Sequence, residues 1–326
     1  MIAGLLVVAL GAQAAEWRAM VGGQFDPDSH GALDLGVREG PWSAQLLTDT
    51  LDLRWAPEGE RGRAWVASRT ELGAVGLLIT PWQGGRPVPE QGIAGFYSGG
   101  EAGALAYLPG GAYLGVSGMA YYTWFSGIPA TEVDVPGPTP WLRAEAVAGW
   151  YGEAAHAWVQ AGAQHDRFGA AVQPHVQLTA TTHWEAPARW AVPVVPRAEL
   201  RAGWSAGQSF LTRARVGGLN PYVVPVAGAG WAEWWADQYA VSRLGPELQL
   251  HLDGENHRLT NALVADAGFV WTPADGRLSV WGLGLLSRYQ RDRVWVQGDL
   301  GWGGGVPRAP GVAPWCGWIA VGRDWG

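Results

Sequence analysis

TRARVGGLNPYVVPVAG, residues 212–228, leads through a Trp-rich segment into PELQLHLDG (246–254) and then LVADAGFVW (263–271). The last piece alternates. Leu263, Ala265, Ala267, Phe269 and Trp271 share one face, and Thr260, Ala262, Val264, Asp266 and Gly268 share the other. Successive side chains of a strand point to opposite faces, so this period reads as a half-buried strand. A single carboxylate among apolar and small residues suits a membrane barrel, in which alternate residues face lipid and lumen. Asp266 then points inward. Arg215-Val216-Gly217-Gly218 closes a strand-like run and opens a Pro- and Gly-rich loop. A lumenal carboxylate beside such a loop suggests a loop that folds back into the barrel and is pinned there.

The same alternation recurs along the chain. Leu47, Leu51, Leu53 and Trp55 oppose Thr48, Thr50, Asp52 and Arg54. Leu114, Val116, Tyr122 and Trp124 oppose Tyr113, Ser117 and Thr123; Leu142, Ala144, Ala146 and Trp150 oppose Arg143 and Glu145. Phe210, Thr212, Ala214 and Val216 oppose Arg213 and Arg215, which places both arginines on the inward face of a strand ahead of the loop. Late in the chain, Val294, Val296, Leu300 and Trp302 oppose Gln297 and Asp299. Several apolar faces are about 10 residues long, the length of a tilted strand crossing the hydrocarbon core. Many end in Trp or Tyr, as an interfacial girdle requires.

Composition agrees. Charged residues make up 16% of the chain, below the ~25% of ordinary soluble domains. Its 49 Gly and 22 Trp suit short turns and aromatic belts. A soluble propeller also has short strands and many Trp, but no repeat of ~40 residues is visible. The single cysteine, Cys316, leaves no intrachain disulfide. The net charge of −7 carries no basic footprint for nucleic acid. The opening MIAGLLVVALGAQAAEW is apolar over residues 2–10, too short to span a membrane as a helix, and ends on Ala12-Gln13-Ala14, a small-x-small cleavage pattern. It reads as a secretory signal over 1–15, with the barrel over 16–326.

Turns such as PEGERG (57–62), PGG (109–111) and PADG (273–276) punctuate the strands, and longer loops are expected at 82–92, 126–138, 218–230 and 303–311. Five strands are expected after the loop, at about 231–252, 256–272, 276–290, 293–303 and 312–325. About eleven precede it. The expectation is an all-β, transmembrane antiparallel barrel of about 16 strands, or 14 if the segment 62–82 is miscounted. Alternating the turns between the two ends leaves the 126–138 loop on the short-turn side. The last residues, Trp318 to Gly326, alternate and nearly end on an aromatic, and closure would pair them with about Trp17–Phe25.

Taken in order, the Arg-x-Gly-Gly strand end, the long loop, the Val264-x-Asp266-x-Gly268 strand and five following strands resemble the outer-membrane assembly superfamily, the BamA/TamA-type or bacterial surface-antigen barrels. The resemblance covers roughly the last 115 residues. It implies a lumen-inserted loop whose tip Arg grips the motif Asp. The family's tip is Arg-Gly-Tyr or Arg-Gly-Phe; here it is Asn220-Pro221-Tyr222, so the tip Arg is missing. Arg213, Arg215 or Arg243 would have to partner Asp266. The loop residues expected to sit in the lumen are Gly217, Gly218, Asn220, Pro221 and Tyr222. With the mature chain opening on a strand, no periplasmic POTRA domain is expected.

Seven histidines are scattered with no metal-ligand spacing, so no metal or other cofactor is expected. No Gly-x-Ser-x-Gly, P-loop or dinucleotide fingerprint is present, and no catalytic residue is assigned. The sequence thus points to a non-enzymatic barrel of the bacterial outer membrane, with an assembly- or transport-related role left open. Expected partners are outer-membrane lipids and lipopolysaccharide, and the barrel-insertion machinery during biogenesis, but no nucleic acid. The rivals are a passive porin-like channel and an outer-membrane lipid hydrolase with a spatially assembled Ser–His pair.

Overall fold

The computed structural model describes residues 16–25, 30–47, 50–71, 77–79, 82–83, 86–182, 184–186, 190, 192–209, 212–219, 223–229, 233–252, 257–304 and 314–325. Residues 1–15, expected to be a secretory signal, and the expected loop tip Asn220-Pro221-Tyr222 lie outside them. Sixteen antiparallel strands form a closed wall, with almost no helix. They are β1 (Glu16–Phe25), β2 (His30–Glu39), β3 (Trp42–Leu47), β4 (Thr50–Trp55), β5 (Gly62–Glu71), β6 (Ile93–Tyr107), β7 (Ala112–Gly127) and β8 (Thr139–Tyr151). Then follow β9 (Ala155–His165), β10 (Gln173–Thr182), β11 (Val194–Ser205), β12 (Gln238–His251), β13 (His257–Thr272), β14 (Gly276–Arg291), β15 (Val294–Gly304) and β16 (Trp315–Arg323). Each pairs with its sequence neighbour, and β16 closes on β1 from Ala19↔Arg323 to Phe25↔Gly317. Closure leaves no open edge, the condition for a sheet to sit in hydrocarbon.

The expected count of about sixteen holds: among the described residues of 62–82, Gly62–Glu71 is one wall strand, continued by the short piece Leu77–Ile79 along β6. One expectation is corrected. The loop at 128–138 follows an odd-numbered strand. It therefore shares an end with the connections from β5 to β6, β11 to β12 and β15 to β16, opposite the end that carries the termini.

The outward faces are apolar. Leu263 is 64% exposed, and Val116, Leu283, Leu300 and Ile319 are similarly bare. Exposed aromatics gather at both rims. Trp17, Trp42, Trp55, Trp150 and Tyr151 lie toward the terminal end; Trp124, Trp204, Trp271, Trp302 and Trp315 lie toward the loop end. The inward faces carry paired charges. Arg18 meets Asp34 at 2.8 Å, Arg69 meets Asp52 at 2.7 Å and Arg54 meets Glu101 at 2.7 Å.

Candidate functional site

The wall strand ahead of the loop is β11, and it bonds directly to β12. Residues 206–237 therefore leave the wall together. This corrects the reading of 210–216 as a wall strand. Ala214–Val216 instead pairs with Trp234–Ala236 as a two-stranded ribbon inside the barrel. Val216, Trp234 and Ala236 are buried against Val241, Val270 and Val280, valines that face inward from β12, β13 and β14. Apolar side chains on the inner wall mark where the ribbon excludes water.

Beyond the ribbon the chain turns tightly. Gly217 and Gly218 adopt φ 119° and 96°, left-handed values that favour glycine. Their N–H groups donate to Val224 O at 2.9 Å and Val226 O at 3.3 Å. This brings Ala227 and Gly228 against the wall. Four residues stand in one cross-strand row there: Arg243 of β12, Asp266 of β13, Gly282 of β14 and Gly303 of β15. The neighbouring row holds Val264, Gly284 and Gly301. The glycines leave a shallow floor. A Cβ on Gly282 would stand 2.1 Å from Ala227 O, and one on Gly301 would stand 2.5 Å from Gly228 N.

Asp266 is the polar centre of this seat. Its side chain is 0% exposed and that of Arg243 is 7% exposed. Arg243 donates through Nε to Oδ1 at 2.7 Å and through Nη2 to Oδ2 at 2.8 Å. The Ala227 N–H donates to Oδ2 at 2.7 Å. One buried carboxylate thus accepts a bidentate guanidinium from the adjacent strand and a backbone donor from the loop. Charge-assisted bonds of this kind are the strong ones. Removing one partner of such a buried pair costs on the order of 3–5 kcal/mol, because the other charge stays unpaired.

Of the arginines proposed for Asp266 from sequence, Arg243 makes the pair. Arg213 instead bonds Asp237 at 2.9 Å, tying the two feet of the ribbon together. Arg215 lies 3.8 Å over the Trp235 ring. Both belong to the ribbon and not to the wall, which corrects their placement.

A second anchor holds the foot of the loop. Asp166 is fully buried and accepts from Phe168 N at 2.8 Å, Ser209 Oγ at 2.7 Å and Gln173 Nε2 at 3.2 Å. Thr212 Oγ1 donates to Gln173 Oε1 at 3.0 Å. Here Asp166 fastens the loop, and His165 Nδ1 bonds Ala171 O at 2.9 Å. His156 and His257 bond Tyr113 and Tyr289, each at 2.8 Å, and His175 bonds Glu145 at 2.7 Å. Among the described residues these side-chain partners include no serine.

No family model matches the chain, and no curated protein matches it in sequence. Solved structures do match. CdiB from Acinetobacter baumannii superposes with a TM-score of 0.61 at 14% identity, over 96% of this chain and 60% of that one. CdiB from Escherichia coli gives 0.65 at 10% identity, over 96% and 63%. BamA from Haemophilus ducreyi lacking POTRA domains 1–3 gives 0.63 at 8% identity, over 95% and 70%. At these identities the likeness is one of fold. The chain shares the sixteen-stranded barrel fold of the CdiB and BamA structures. It spans about three fifths of the length of the CdiB chains.

Proposed function

Given a barrel fold shared with the BamA and CdiB structures, we propose that this chain is an integral, non-enzymatic barrel of the bacterial outer membrane, in the assembly- or transport-related class, whose lumen is obstructed by an inward loop. The apolar outer faces and the two aromatic rims support the membrane reading. The observation that carries the obstructed lumen is the Ala227 N–H on an Asp266 already gripped by Arg243. A loop held by a carboxylate, a glycine floor and a dry valine face is a structural plug, and an open passive channel has no use for one.

Asp266→Asn tests the plug. An amide offers one acceptor oxygen where three donors converge, and its NH2 then faces donors. In planar bilayers the wild type is expected to stay mostly closed. Asp266→Asn is expected to raise conductance and to open residues 217–229 to protease, while the barrel still assembles. A large steady wild-type conductance, equal to that of the variant, would support the passive-channel reading instead.

A further inference from the structure

On the outer face, at the end that carries the termini, Arg291 of β14, Val294 of β15 and Arg323 of β16 stand in one cross-strand row. The next row toward the middle of the wall is Tyr289, Val296 and Val321. Those three and Val294 are all exposed. Neighbouring strands lie about 4.8 Å apart, so the two arginines stand roughly 10 Å apart, on either side of Val294. Arg323 stacks 3.7 Å over the exposed Trp17 ring. Arg291 makes no ion pair among the described residues, and neither does the exposed Arg293 in the hairpin turn. Two carboxylates are close in sequence. Asp324 is engaged by Arg288 at 3.3 Å and by the Trp295 indole at 3.0 Å; Asp292 sits in the turn itself. The cluster is therefore net positive, on a chain of net charge −7.

We propose that this row is a binding site for the headgroup of an anionic glycerophospholipid, with the phosphodiester between Arg291 and Arg323 and the acyl chains lying over Val294, Val296 and Leu300. The proposal rests on the membrane reading above. The physical reason is the boundary position. An unpaired guanidinium at the edge of an apolar band has planar donors matched to a phosphate, and in the thin polar layer it is screened less than in bulk water. Arginine near a membrane surface favours anionic lipid additively. The apolar row beneath selects a chain-bearing phosphate over a free one.

The test uses native mass spectrometry of the detergent-purified full chain. It is offered equimolar phosphatidylglycerol and phosphatidylcholine of one chain length. The wild type is expected to retain phosphatidylglycerol in roughly thirtyfold preference, given the contribution of two arginines near a membrane surface. Arg291→Gln with Arg323→Gln is expected to lose that preference. Arg61→Gln, at an exposed turn arginine of the same end, is expected to keep it. Glycerol 3-phosphate is expected not to displace the lipid. Equal occupancy by the two lipids in the wild type would overturn the site, as would a preference surviving in the double variant, lost equally in Arg61→Gln, or displaced by glycerol phosphate. If the double variant fails to fold, as judged by heat-shifted gel mobility, the wild type alone decides. Its preference must fall as salt is raised, and persistence overturns the site. A wild type that is folded in water without detergent removes the membrane reading and the site together. A detergent-folded barrel with no headgroup preference removes the site alone.

Discussion

Asp266 accepts from three donors, and two of them were within reach of sequence reasoning. Parity alone turns Asp266 inward, because Leu263, Ala265 and Ala267 define the lipid-like face. The same parity turns Arg243 inward with Glu247 and Gln249. The hairpin then sets the register: Leu252 N donates to His257 O at 2.8 Å, and counting back from that turn puts Arg243 opposite Asp266. The third donor, the Ala227 N–H, depends on how a Pro-rich loop turns in space, which no period records. The glycine floor is equally silent. In a chain with 49 glycines, nothing local separates Gly282 from its fellows. The contrast is nonetheless testable. A Cβ on Gly282 would stand 2.1 Å from Ala227 O, whereas one on Gly298 would meet nothing within 4 Å. Gly282→Ala is expected to increase cleavage within 217–229 several-fold in limited proteolysis. Gly298→Ala is expected to match the wild type or gain slightly, since Ala in a strand interior is favoured over Gly by about 0.5–1 kcal/mol.

At the scale of elements, the alternating strands were legible and the ribbon was not. Four of the five strands after the loop fall where alternation and turn residues place them; the first, expected from about 231, begins only at Gln238, because Trp234–Ala236 belongs to the ribbon, and β16 closes on β1 as the terminal alternation suggests. The expected strand over 210–216 misled because its described part, the ribbon strand Ala214–Val216, has one face on the wall and alternates just as a wall strand does; Phe210 lies outside the described residues. The telling signal is on the partners. Val241, Val270 and Val280 are apolar on faces that should be polar, and something must cover them. Closure gives its own prediction. Deleting Trp318–Gly326 removes most of the strand that bonds both β15 and β1. Unpaired backbone groups in hydrocarbon cost several kcal/mol each. The truncated chain is expected to lose its heat-shifted gel band and most of its membrane yield, and a normal yield would contradict closure through β16.

At the scale of the whole molecule, the outer surface and the lumen make separate claims. The apolar wall between two aromatic rims predicts that the protein fractionates with the outer membrane and runs faster on gels when unheated. Recovery of folded protein in water without detergent would sink that expectation. The lumen claim is that the Ala227-Gly228 turn rests on the inner wall of β14 and β15. Direct evidence comes from a disulfide between Ala227→Cys and Gly284→Cys, in a chain whose buried Cys316 is replaced by Ala. A Cβ on Gly284 would lie 3.4 Å from Ala227 Cβ, close to the spacing of about 3.5–4.5 Å that a disulfide spans. In membrane-embedded protein, the pair is expected to oxidise to a cross-link that shifts mobility on a non-reducing gel and blocks maleimide labelling. Free thiols at both positions, labelled in the folded barrel and never cross-linked, would show that the loop does not occupy the lumen.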